Sequence, residues 1–361
     1  MTALTIGATI EDADTPARLD ARRFNRHTFW CGQSGSGKTY ALGVVLEQLL
    51  LHTELPLLIL DPNADFVRLG EVRPTTAEPD ATRLADLDVR VFRSGRADGE
   101  RLRVRYVDLS PAAKAAVLQI DPVADAEEYN ALLHTDVSTE EFDAAEMVRG
   151  LRATGDPAKA RLANRMENLQ VLEWELWSRG KASVVDTIDA RPRATVLDLG
   201  GFDHPVEPKV AALAVLEHLW MRREERRPVL IVIDEAHNLC SPQPATAVER
   251  ELTARLIQIA AEGRKFGLWL FLSTQRPTKI HPNVLSQCDN LGLMRVNAPR
   301  DLAELADVFG FASDEAIRRA QSFHQGQALF AGGFIAESTF VQMGERLTYE
   351  AGGDVRVPLR E

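Results

Sequence analysis

Gly32-Gln33-Ser34-Gly35-Ser36-Gly37-Lys38-Thr39 follows the apolar run His27–Cys31 and opens a stretch with helical character from Thr39 to about Leu51. This G-x-x-x-x-G-K-[ST] order decides how the rest of the chain is read. Its glycines let successive backbone N–H groups curl round phosphate oxygens, and the following helix adds its positive end. Lys38 then reaches the terminal phosphates and Thr39 ligates magnesium. The predicted nucleotide contacts are Gly32, Gln33, Ser34, Gly35, Ser36, Gly37, Lys38, Thr39 and Tyr40. A strand before and a helix after are the context that the motif requires.

A nucleotide loop that hydrolyses needs carboxylates, and Val229–Ile233 is a buried-type strand that ends in Asp234-Glu235. Asp234 is expected to join Thr39 around magnesium, and Glu235 to polarise the attacking water as general base. Asp234-Glu235-Ala236-His237 also spells a string found in two-lobed helicases. Those need a second lobe that the remaining residues do not provide, because they complete the first sheet. Ser273-Thr274-Gln275 ends the next strand, where Gln275 can sense the terminal phosphate. Arg26, before the loop strand, and Arg264, before Gly267, are candidate charge-neutralising arginines. Each reads equally well as a solvated cation.

Outward from these motifs, strands at Leu57–Leu60, Thr195–Leu199, Val229–Ile233 and Leu268–Ser273 alternate with helices, which indicates a parallel sheet covered on both faces. Val89–Phe92, Val104–Val107 and Leu291–Val296 read as further strands, and Gln327–Gly332 with Phe334–Gln342 as a closing hairpin. From Ser110 to about Arg191 only helix signals occur: Ser110-Pro111, the Ser138…Glu141 capping pattern, and Asp156-Pro157. Leu162, Met166, Leu169, Leu172 and Leu176 fall on one helical face there. The fold class is therefore α/β: a RecA-like P-loop NTPase, mainly parallel, with an α-helical insertion. The expected divisions are an N-terminal segment 1–25, core 26–110, insertion 111–191, core 192–344 and tail 345–361.

Composition excludes several classes. The sequence has no apolar run of the ~18 residues that a spanning helix needs, and its acidic start lacks a signal-peptide pattern, so a cytoplasmic location without membrane insertion is expected. Cys31, Cys240 and Cys288 have no metal-ligand spacing and read as buried apolar residues. A net charge of −11 argues against a surface that coats nucleic acid, while leaving room for a local basic channel. The loops Ser241–Ala247 and Thr278–Pro282 follow the two site strands, and Lys279 is their basic candidate.

Taken together, these motifs resemble the HerA-like branch of the HerA/FtsK motor ATPases. The resemblance runs through Arg26-His27, the loop, Leu60-Asp61-Pro62-Asn63-Ala64-Asp65-Phe66, Asp234-Glu235-Ala236-His237-Asn238-Leu239, Glu262-Gly263-Arg264-Lys265-Phe266-Gly267, Ser273–Pro277 and Gly326-Gln327-Ala328-Leu329. It implies ATP and Mg²⁺ as cofactors, a homo-hexameric ring with sites at subunit boundaries, and translocation of double-stranded DNA alongside a nuclease or other effector protein. By the same analogy Glu235 is the catalytic base, Gln275 the sensor, and Arg26 and Arg264 the arginine contacts. Asp61 is implied as a structural or relay residue. One departure is the stretch before the loop, where HerA proper carries a β-barrel; this points to a stand-alone or defence-associated relative. The competing expectation is a switch or scaffold ATPase that controls an effector without pumping DNA.

Overall fold

A computed structural model describes residues 2–95, 99–135, 144–180 and 182–352. Their twelve strands form one sheet. In chain order these are β1 (Ala3–Thr9), β2 (Pro16–Asp20), β3 (His27–Cys31), β4 (Leu57–Asp61), β5 (Val89–Arg93) and β6 (Glu100–Arg101). They continue with β7 (Ala194–Asp198), β8 (Val229–Ile233), β9 (Leu268–Thr274), β10 (Cys288–Leu293), β11 (Gln327–Gly332) and β12 (Thr339–Met343). The spatial order is β2-β1-β12-β11-β10-β3-β9-β8-β4-β7-β5-β6. All neighbours from β10 to β6 run parallel, and all from β2 to β10 antiparallel.

The central strands are apolar without alternation because both faces are covered. Every residue of β3, β4, β7 and β8 is buried. On one face Trp30, Leu57, Ile59, Leu230 and Val232 meet Leu42, Val45 and Leu49 of the helix Lys38–His52. On the other, Phe29, Leu58, Leu60, Ile231 and Ile233 meet the helices Glu207–Met221 and Ala247–Glu262. The latter helix starts at Thr246, whose side chain and that of Glu249 cap each other's backbone, and ends in a tight turn closed by Gly267 at φ +84°.

The α-helical insertion is present as Pro111–Val117, Ala126–Leu133, Ala144–Ala153, Pro157–Leu169 and Val184–Ala190. Its buried Ala113, Leu162 and Met166 belong to the same apolar cluster as Phe29 and Leu60. The Ser138…Glu141 pattern lies outside the described residues.

Four local readings are corrected. Val104–Val107 is no strand: Val104 makes an isolated bridge to Trp177, and Tyr106–Asp108 is a 3-10 turn. The apolar stripe leaves the helix after Leu169, because Gln170 takes a left-handed conformation, φ +52°. Leu172 and Leu176 are buried beyond that turn. The polar opening is a hairpin, β1 and β2, that extends the sheet by pairing β1 with β12. Residues 345–349 fold back on the helix Lys38–His52, where Arg346 and Thr348 are each 1 % exposed. Neither contact is visible in the sequence, because the partners are far away along the chain and the segments themselves are polar.

Candidate nucleotide site

The loop joins the C-terminal end of β3 to the helix Lys38–His52. Gly35 and Gly37 have φ of +74° and +87°, a region that only glycine enters without cost. Gly37 is also the helix N-cap and brings no side-chain cap, so the first-turn amides stay open to an anion. The loop is braced from one side. Gln33 N–H donates to the Arg295 carbonyl at 2.9 Å, the Gln33 side-chain oxygen accepts from Asn297 N–H at 3.1 Å, and Gly326 N–H donates to the Ser36 carbonyl at 3.0 Å.

On the other side, β9 and then β8 lie beside β3, which brings Ser273, Asp234 and Glu235 under Lys38. The Lys38 ammonium is 2.8 Å from Asp234 Oδ1, 3.1 Å from Glu235 Oε1 and 3.0 Å from Ser273 Oγ. Ser273 Oγ donates to Asp234 Oδ1 at 2.7 Å. Lys38 is buried, which opposes its charge, but the two carboxylates more than offset this and raise its pKa. Glu235 sits in a left-handed conformation, φ +43°, unusual for a side chain of its size. Gln275 Nε2 donates to its Oε1 at 2.7 Å, and His237 Nδ1 lies 3.2 Å from its Oε2. Burial alone would raise the Glu235 pKa, yet His237, Lys38 and Gln275 together hold it down at about 2.

The residues fit a divalent cation. Asp234 Oδ2 is buried without a partner, and Asp61, Asp65 and Asp234 each offer an oxygen within 4.8 Å of the others. Burial together with the Asp234 charge pushes Asp61 up to about 7 and Asp65 up to about 6. Asp61 is also structural: it accepts from the backbone N–H groups of Asn63, Asp65 and Phe66.

Lys38, Asp234, Glu235 and Gln275 thus meet at the loop. Arg26 and Arg264 do not join them. Arg264 bonds Asp289 at 2.5 Å and Arg26 lies 3.7 Å from it, at the N-terminal end of β10. That is a strand length, about 16 Å, from the loop. The Tyr40 hydroxyl accepts the Arg346 N–H at 2.9 Å. Sequence reasoning missed Ser273, His237 and Asp65 as site residues although all three stand inside quoted motifs; only the adjacency of β8, β9 and β4 reveals them. Ser241–Ala247 and Thr278–Pro282 are tied by His281 N–H donating to the Cys240 carbonyl at 2.9 Å, and Lys279 is exposed there. The cysteines are free and buried, as expected. Among the described residues, no helix is long and apolar enough to cross a membrane.

Comparison with known proteins bears on the fold and the family. The solved structure of VirB4 of Thermoanaerobacter pseudethanolicus is similar at TM-score 0.62 and 15% identity, covering 95% of this chain and 96% of that one. Plasmid coupling protein TrwB in complex with ADP and Mg²⁺ is similar at TM-score 0.57 and 13% identity, covering 97% and 91%. These likenesses bear out the RecA-like P-loop fold. The DNA double-strand break repair helicase HerA of Sulfurisphaera tokodaii is 26% identical over 205 residues, 55% of this chain and 40% of that protein. A probable DNA double-strand break repair helicase HerA of Methanocaldococcus jannaschii is 28% identical over 131 residues, 36% and 25%. The matched region therefore spans less than half the length of these relatives. The family model described as the central domain of helicase HerA matches residues 4–219, and this chain belongs to that family.

Proposed function

We propose that this chain binds ATP with magnesium at Gly32–Thr39, hydrolyses it, and uses the cycle to move double-stranded DNA through a ring of six copies. The observation that carries the hydrolytic part is the Glu235 carboxylate held between Lys38 and Gln275 at the loop. Thr39 and Asp234 would hold a magnesium ion, which would supply charge neutralisation to the phosphates. Lys38 spans both carboxylates, so a terminal phosphate competes for its ammonium. As Lys38 turns to the phosphate, Glu235 keeps His237 and Gln275 but loses one of the groups that hold its pKa low, and becomes a stronger base towards water. Gln275, bonded to the same oxygen, reports that change to the loop that follows β9.

The ring reading rests on Arg26 and Arg264. They sit at the N-terminal ends of β3 and β10, away from their own loop, so a nucleotide that they serve would be a neighbouring copy's. The DNA reading rests on the HerA relatives, whose names state DNA double-strand break repair. With net charge −11, contact is confined to a few cations, of which Lys279 is one. A nuclease or other effector would receive the DNA.

The test is steady-state ATP turnover with and without linear duplex DNA. The expected result is severalfold stimulation, with Lys38→Ala inactive and Glu235→Gln about 100-fold slower or worse but still nucleotide-bound. Turnover indifferent to DNA would overturn the motor and favour a switch that controls an effector.

A further inference from the structure

We infer that Arg295 holds the nucleoside end of the nucleotide, as a planar shelf for the base; this rests on the ATP-site reading above. The phosphate loop has two sides, and sheet order tells them apart. Asp234 and Glu235 follow β8, on the β9 side of the loop strand β3, and Lys38 leans towards them. The terminal phosphate must meet Lys38, so the rest of the nucleotide runs the other way, over β10 and β11. That is where Arg295 stands.

Three features fit it for a ligand. Its backbone is stapled to the loop through Gln33, which accepts from Asn297 N–H and donates to the Arg295 carbonyl. Its guanidinium lies on the loop apex, with Nη2 3.4 Å from the Gly35 carbonyl. Its Nε is buried and has no partner. Several other half-buried or buried arginines are matched to carboxylates, Arg264 to Asp289, Arg93 to Asp198 and Arg346 to Glu47, while Arg73 and Arg191 bond backbone carbonyls. Among the described residues no carboxylate pairs with Arg295. A cation held rigidly beside an anion loop, with no anion of its own, is placed for a ligand. A guanidinium plane stacks on a purine face, which an ammonium cannot do. The turn that carries Gly326 limits the far side: Gly326 N–H holds the Ser36 carbonyl, and Gln325 lies against Gly37.

The experiment is calorimetric titration of the full chain with MgATP, ADP and inorganic tripolyphosphate, on wild type, Arg295→Ala and Arg295→Lys, each checked for a wild-type melting curve. The expected result is that both variants bind ATP and ADP about tenfold more weakly, while tripolyphosphate affinity stays within about twofold. Wild-type ATP affinity in Arg295→Ala, full affinity restored by Arg295→Lys, or equal loss of tripolyphosphate would overturn the nucleoside role. A wild-type chain that binds neither ATP nor tripolyphosphate would instead overturn the nucleotide reading itself.

Discussion

The helix Lys38–His52 carries two buried ion pairs, and they are built in opposite ways. At its start, Lys38 is shared among Asp234, Glu235 and Ser273, and Asp234 Oδ2 has no donor at all. Further along, Glu47 is saturated: Arg346 Nε, Thr348 N–H and the Thr348 hydroxyl converge on Oε1, and Leu347 N–H on Oε2. Gly43 makes room for the guanidinium, since a Cβ there would sit 2.5 Å from it. Burying charge is costly unless every lone pair finds a donor. The Glu47 carboxylate meets that condition at both oxygens and fixes the returning segment, and only Arg346 Nη1, on the cation's side, is left without a partner. The first pair does not, and its unsatisfied atoms are those that a nucleotide and its cation would engage.

The largest expected effect breaks the saturated pair. Arg346→Ala leaves Glu47 charged and buried, and unfolding free energy in urea should fall by about 3–5 kcal/mol. A change below about 1 kcal/mol would mean that the returning segment is not anchored there.

The next effect concerns His27, fully buried at the start of the loop strand. Its Nδ1 accepts Leu270 N–H and its Nε2 faces the Ala260 carbonyl, so the ring is held neutral. Burial pushes its pKa down from 6.5 to about 4, with the cations of Arg264 and Arg26 acting the same way. The unfolded chain then binds a proton that the folded one refuses, so this contribution is complete above pH 6.5 and lost as pH falls to about 4. Its size is about 3 kcal/mol. Asp61 and Asp65, with raised values, act in the opposite sense over the same range. The measurement is therefore a difference: the stability gap between wild type and His27→Asn should narrow by that amount between pH 6.5 and pH 4. A constant gap would show that His27 titrates normally.

The smallest effect sharpens the contrast at the N-terminal ends of β3 and β10. Asp289 is 45% exposed beside Arg26 and Arg264, so Asp289→Ala should shift stability by less than about 1 kcal/mol. If the two arginines serve a neighbour's nucleotide, the variant's ATP turnover will nevertheless change. Unaltered turnover would leave the triad as a surface ion pair.

Much of the site was legible in the sequence because its parts are local. The loop needs glycines at the two left-handed positions and Lys38 at a fixed offset, and Asp234-Glu235 must end an apolar strand. Such spacing is set by backbone geometry within a few residues. The parallel sheet and the helical insertion were legible for the same reason, through apolar periodicity. What the tertiary structure alone decided is which strands are neighbours. Only the order β10-β3-β9-β8 brings Ser273 under Lys38 and Arg295 onto the far side of the loop, and the parallel run of these strands leaves Arg26 and Arg264 at the end away from their own chain's site. It also decided that the polar segments 3–20 and 345–349 belong to the fold, since their partners lie about 300 residues away, as Glu47 does from Arg346. Composition is blind to such pairings because a polar side chain looks the same whether it is saturated in a core or solvated at the surface.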